Sequence, residues 1–297
     1  MTMSTDYLSA YGAAGVHAKQ GRFGRPLDGR YQAFPRTTWE QELEQIGTLP
    51  SVRGIEWIYD LYGEGANPLD SAEGRQRMNA CLSRTGLELA SVCADYFMDC
   101  PLLRCTDEQR KQRCERLAWL IGVCPEVGIR RIVLPLLDTS SIKTPQERST
   151  IVDCLHQVLP LAQEHGVLLS LESDFEPWAL RELLLDIDHP MVGVNYDTGN
   201  SAAAGFDPRE EFEAYGAWIS SVHIKDRRRG AATVPLGEGD TDFPLLRELL
   251  VQIDYRGDFV MEAARGEPGD EIAWQERMAA RVANWLRGAA LTDERCS

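Results

Sequence analysis

Val167-Leu-Leu-Ser-Leu-Glu172 opens a stretch, running to Met261-Glu262, in which four short β-rich segments each end on a side chain able to ligate a cation. A strand turns successive side chains to opposite faces, so each segment is read as two series. In the first, Val167, Leu169 and Leu171 alternate with Leu168, Ser170 and Glu172. In the second, Val192, Val194 and Tyr196 alternate with Gly193, Asn195 and Asp197. Val222 and Ile224 then oppose Ser221 and His223, and Phe259 and Met261 oppose Val260 and Glu262. One series is apolar and suits a helix-covered face. The other ends on Glu172, Asp197, His223 or Glu262 and suits the lumen of a barrel.

Working outward, helix-like and strand-like segments alternate from Glu40 onward. Gly86, Gly128 and Gly166 mark ends of helices, spaced by about 40 residues, the length of one strand–helix unit with its loops. Eight strands are expected, near Leu8–Tyr11, Gly54–Tyr59, Leu87–Ala94, Arg131–Leu136, Val167–Glu172, Val192–Asp197, Ile219–His223 and Asp258–Glu262. Helices are expected near Thr38–Leu49, Ser71–Arg84, Asp107–Val127, Thr144–His165, Pro177–Leu185, Pro208–Tyr215, Phe243–Ile253 and Glu271–Arg287, several with a Ser, Thr or Asp cap. Such alternation means a parallel sheet, either closed or doubly wound. A doubly wound nucleotide binder carries Gly-x-Gly-x-x-Gly after its first strand. None stands there, and Gly237-Glu-Gly-Asp240 comes too late. The expected fold is therefore a single (β/α)₈ barrel over residues 1–297, a length that suits a fold needing about 250 residues.

The apolar share of 43% supplies a sizeable core, and the formal charge of −15 repels nucleic-acid backbones and anionic membranes. The eight cysteines form no Cys-x-x-Cys pair and read as reduced, mostly buried thiols. The opening residues lack the basic and apolar regions of a signal peptide, and no apolar run is long enough to span a membrane. A cytoplasmic protein with no nucleic-acid or membrane partner is expected.

Barrel enzymes place their chemistry where strand C-termini converge, so Glu172, Asp197, His223 and Glu262 should point at one place. Three carboxylates crowded together repel one another, and a divalent cation relieves that cost. Carboxylates plus one imidazole suit Mn, Mg, Co or Zn without deciding among them. Lys225, Arg227, Arg228 and Arg229 form the densest basic cluster of the chain, fitting a phosphorylated or carboxylated ligand or, equally, a solvated loop. Lys225 shares the lumen parity of His223. Glu56 and Trp57, with Asp95 and Tyr96, are candidates to line the substrate pocket, although core packing is the commoner role for Trp57 and Tyr96. His17 falls in the loop expected after the first strand. His156, His165 and His189 lie on or beside helices and read as structural.

Leu171-Glu172-Ser-Asp, Asn195-Tyr-Asp197-Thr-Gly-Asn200, Val222-His223-Ile-Lys-Asp226 and Met261-Glu262 resemble the sugar phosphate isomerase/epimerase superfamily. Val234-Pro-Leu-Gly-Glu-Gly-Asp-Thr-Asp-Phe243 is similar to the loop after the seventh strand of ketose 3-epimerases. The resemblance implies that Glu172 and Glu262 are both metal ligands and the acid/base pair, that Asp197 and His223 are ligands only, and that Arg229 binds substrate. Asn200 departs from the ketohexose epimerases, which use a His there, and follows the Asp-x-Gly-Asn form of ketose-phosphate relatives. The implied activity is proton abstraction beside a metal-chelated sugar carbonyl, through an enediolate, with return to the far face for epimerisation or to the next carbon for isomerisation. A lyase of the inosose dehydratase type begins with the same step. An endonuclease IV-like repair enzyme needs a basic surface and a histidine-rich metal cluster, which five histidines and the net charge disfavour. A sugar-binding barrel without chemistry would leave the paired glutamates unexplained. Exposed helices on such barrels commonly pair subunits, so a homo-oligomer is a further expectation.

Overall fold

Gly86 and Gly166 both adopt left-handed backbone, φ 72° and 63°, and end the helices before them, after which the chain drops into a strand. The computed structural model describes residues 5–291. Within them, β1 (Val16–Lys19), β2 (Val52–Ile58), β3 (Glu88–Cys93), β4 (Arg131–Leu136), β5 (Leu168–Ser173), β6 (Val192–Asp197), β7 (Ile219–Ile224) and β8 (Asp258–Met261) close into one barrel in sequence order. Every neighbouring pair is parallel.

Helices cover the outside. They are α1 (Thr5–Ala14), α2 (Trp39–Ile46), α3 (Ala72–Thr85), α4 (Tyr96–Asp99), α5 (Asp107–Val123), α6 (Pro145–His165), α7 (Pro177–Ile187), α8 (Thr198–Ala204), α9 (Pro208–Tyr215), α10 (Phe243–Gln252) and α11 (Glu271–Leu286). The caps are those the sequence offers: Ser71 accepts from the Gly74 amide, Thr144 from Glu147, and Thr106 and Gln109 form a reciprocal capping box. Each such cap contributes about 1 kcal/mol. The helix expected to run to Val127 stops at Val123, and Cys124–Val127 tightens into a 3₁₀ turn around Pro125, which has no amide to donate. Seven described cysteines are free thiols, five of them buried; Cys296 lies outside the described residues. Among the described residues no helix is long and apolar enough to cross a membrane.

The first strand is a correction. Leu8–Tyr11, expected to be β, lies within α1, where Leu8, Tyr11 and Gly12 recur at helical spacing and pack toward α11. The strand itself is Val16-His-Ala-Lys19, fully buried although half of it is ionisable. Its polar residues face the lumen, and that hid it. His17 is consequently not in a loop: its ring meets Arg53, Glu88 and Asp258, which open β2, β3 and β8, at the end of the barrel away from the ligand cluster.

Two ties hold the upper loops. Asp226 is wholly buried and accepts from the amides of Gly237 (2.8 Å), Gly239 (2.9 Å) and Thr241 (3.2 Å), folding the chain after β7 back onto itself. A Cβ at Gly239 would stand 2.1 Å from Asp226 Oδ1, so only glycine allows the approach. Between these ends Asp226–Arg227 pairs antiparallel with Thr233–Val234.

On the other side, Glu42 of α2 accepts from the Gly21 amide at 3.0 Å and anchors the loop that carries Arg22. Burial pushes the Glu42 carboxyl up to about 7, and its hydrogen bonds from Gly21 and Gln20 offset only part of that. A raised carboxyl stabilises the fold fully below its unfolded value of 4.5, and that stability is lost as pH rises through 7. Relative to Glu42→Gln, the wild-type protein should lose about 3 kcal/mol of unfolding free energy across that window. Urea titrations at pH 4.5 and 7.5 measure it, and parallel curves for both proteins would contradict the assignment.

Candidate metal centre

The register of β5 to β8 gathers the four expected ligands. Asp197 pairs with His223 across β6 and β7, and His223 pairs with Val260, two residues before Glu262. Glu262 lies just past β8, where its amide still bonds Ile224 O at 2.9 Å and continues the ladder. All four side chains are buried. One ligand atom each from Glu172, Asp197 and His223 falls within 4.8 Å of the others. His223 Nδ1 lies 3.3 Å from Glu262 Oε2, 3.4 Å from Glu172 Oε2 and 4.0 Å from Asp197 Oδ2.

That nitrogen has no partner in hydrogen-bonding geometry although it is fully buried. The other ring nitrogen, Nε2, sits 3.1 Å from the Glu56 carboxylate. Nε2 is thus paired to Glu56, which leaves Nδ1 as the ring nitrogen facing three carboxylates. A carboxylate behind a ligating histidine is how metal sites fix the tautomer, and the donor set fits one divalent cation.

The electrostatics are arranged around Glu262. Lys225 Nζ approaches it at 2.8 Å and Asp197 at 3.4 Å; Arg22 lies 3.1 Å and Lys19 3.4 Å from it. Burial acts upward on the Glu262 carboxyl, but Lys225, Lys19, the nearby His223 ring and Arg22 together hold it well below the usual carboxylate range. For Glu172 burial wins, aided by Asp197 and Glu262, and raises it to about 7 against the pull of His223. Asn195 and Asn200 donate to its two oxygens, each at 2.9 Å. Lys19, itself 1% exposed, joins Glu56 at 2.7 Å, and Ser91 donates to Glu56 at 2.6 Å. In the register Lys19, Glu56 and Ser91 are neighbours on β1, β2 and β3, one layer of the lumen.

A cavity of about 510 Å³ opens above this layer, walled by Lys19, Arg22, Glu172, Asn200, Lys225 and Glu262. Asn200 and Lys225 are therefore where the sequence places them. Glu56 is not on the wall; it lies beneath and orients His223. Trp57 is not there either. It is wholly buried between Phe34 and Trp39, ring centroids 5.5 and 5.8 Å away, because strand neighbours face opposite ways and Glu56 takes the lumen side. Arg229 is exposed, its guanidinium beside Gly205 and its amide on Asp240 Oδ2. The turn after Arg227 carries it away, and Arg227 reaches the cavity instead, donating to Asn200 Oδ1 at 2.8 Å. Asp95 lines the cavity and accepts from Gln32 at 2.6 Å, whereas Tyr96 packs on Tyr59 and Phe97. Lys19, Arg22 and Gln32 were missed, and Arg227 was read only as a member of the basic cluster. Only Lys19 had a signal, the lumen alternation it shares with His17 once β1 is placed.

A family model described as the xylose isomerase-like TIM barrel matches residues 43–289. The chain belongs to this family. Within the xylose isomerase-like barrels, the L-ribulose-5-phosphate 3-epimerase UlaE of Escherichia coli is 29% identical over 246 residues, 79% of this chain and 86% of its own. Among solved structures, a xylose isomerase-like TIM barrel protein from Mycobacterium smegmatis in complex with magnesium superposes with TM-score 0.71 at 18% identity, covering 92% of this chain and 96% of that one. The D-psicose 3-epimerase from Clostridium cellulolyticum H10, with D-tagatose, gives 0.68 at 18%, covering 92% and 98%. These last two share the fold.

Proposed function

We propose that the protein is a divalent-metal-dependent epimerase or isomerase of a sugar or sugar phosphate. In this reading Glu172, Asp197, His223 and Glu262 hold one Mn, Mg, Co or Zn ion, and Glu172 and Glu262 exchange the proton. The observation that carries it is the bare, buried His223 Nδ1 facing three strand-end carboxylates. The relative named for 3-epimerisation of L-ribulose 5-phosphate supports the substrate class.

A bound cation supplies Lewis-acid polarisation of a carbonyl and offsets the charge left by proton removal. The chain does the rest. Glu172 and Glu262 flank the centre from β5 and β8, so one carboxylate takes a carbon-bound proton and the other returns one to the opposite face, inverting that carbon. Asn195 and Asn200 hold Glu172 in place, while Lys225 and Arg22 hold Glu262. Arg227 and Lys225 are positioned to bond substrate oxygens at the mouth.

Metal-loaded protein incubated in D₂O with ketopentoses and ketohexoses, free and phosphorylated, tests the reading by NMR. Label at carbon 3 with inversion supports epimerisation, label at carbon 1 supports isomerisation, and loss of water marks a lyase. Normal metal binding with no exchange from any sugar sinks proton abstraction. On the substrate that turns over, Arg227→Ala should raise KM about tenfold or more, the loss of one charged hydrogen bond. Arg229→Ala should leave KM within twofold. The reverse ranking would restore Arg229 as the substrate contact.

A further inference from the structure

A second cavity, of about 280 Å³, opens off the first between the end of β5 and the corner joining α8 to α9, and shares Glu172, Asn200 and Arg227 with it. Its inner walls are Phe175, Leu180, Phe206 and the ring of Tyr215. It is nearly twice the size of an apolar cavity of about 150 Å³ that admits benzene.

Three of its polar side chains already have partners. Glu211, at the floor, accepts from Tyr196 at 2.9 Å and Ser201 at 2.5 Å on one oxygen and from Tyr215 at 2.7 Å on the other. Asp174 accepts from Ser141 at 2.9 Å, and Asn195 is taken by Glu172 and Ser221. Arg227 is the only cation among the described lining residues, against five acids, among them Glu172, Asp197 and Glu211. With Glu172 and Asp197 given to the cation, Asp138, Asp174 and Glu211 still outnumber Arg227, which disfavours a phosphate or carboxylate.

We infer that this side chamber is a subsite for an uncharged, apolar-faced substituent carried by the sugar. The inference rests on the reading of the Glu172–Glu262 centre as the place where the sugar reacts. The sugar lies in the polar cavity, and the substituent passes between Glu172 and Arg227 to pack on Phe175 and Phe206. The natural substrate is thus an aryl- or alkyl-substituted keto sugar, with any anionic group kept to the polar cavity.

The test compares L-ribulose, L-ribulose 5-phosphate and 5-O-benzyl-L-ribulose on manganese-loaded protein, by calorimetric binding and by deuterium exchange. The benzyl ether should bind at least tenfold more tightly than the parent sugar. In Ala203→Phe, which fills the chamber mouth from the surface of α8, that advantage should collapse to within twofold. Equal binding of ether and parent, or an advantage that survives Ala203→Phe, overturns the subsite. If the ether binds with its advantage and no sugar exchanges deuterium, the proton-abstraction reading fails and the subsite stands.

Discussion

Glu262→Gln should lower kcat about 10²–10⁴-fold, the range expected when a carboxylate that moves the proton becomes an amide of the same shape. The fold should survive. Arg22 keeps Gln32 and Ala263 O, Lys225 keeps Asp197 and Lys19 keeps Glu56, so each cation around the lost carboxylate retains a partner. The measurement is deuterium incorporation into the substrate under saturating metal, with metal binding followed separately by calorimetry. Exchange within tenfold of wild type at full metal occupancy would remove Glu262 from the chemistry. Exchange that is lost only because the metal no longer binds would leave it a ligand and no more.

The second large effect concerns a residue no substrate should touch. Glu56→Gln removes the charge that faces both Lys19, 1% exposed, and His223, 0% exposed. Breaking one side of a buried ion pair typically costs about 3–5 kcal/mol, and losing the carboxylate behind a ligating histidine weakens metal binding about 10–100-fold. Urea unfolding of the metal-free protein and the visible spectrum of a cobalt titration read the two effects independently. Lys19→Met combined with Glu56→Leu should recover most of the stability, since an apolar pair of similar volume replaces a buried ion pair at little cost, yet should not recover the metal affinity. Recovery of both would mean that Glu56 acts on the fold alone.

The four proposed ligands were legible because they share one device, an alternating strand whose lumen series ends on a donor. The same device was unreadable in β1. Val-His-Ala-Lys has no apolar series long enough to announce a strand, and Leu8–Tyr11 offered a more apolar decoy whose spacing proved helical. Losing β1 also lost Lys19 and, three residues on, Arg22. Alternation would have separated Glu56 from Trp57, because neighbours on a strand cannot both face the lumen. The resemblance that points to Arg229 does not register the turn after Arg227, which carries that side chain away from the cavity and depends on contacts from Asp226 to residues 237–241. Such contacts between distant positions leave no local periodicity to read.

Asp226 acts on this segment as a buckle. Because one carboxylate gathers the amides of Gly237, Gly239 and Thr241, both ends of the segment are fixed independently of what lies between them. The arginine-rich turn is thus a replaceable part. Its length and charge can be altered without moving His223, three positions upstream in β7, which the barrel holds.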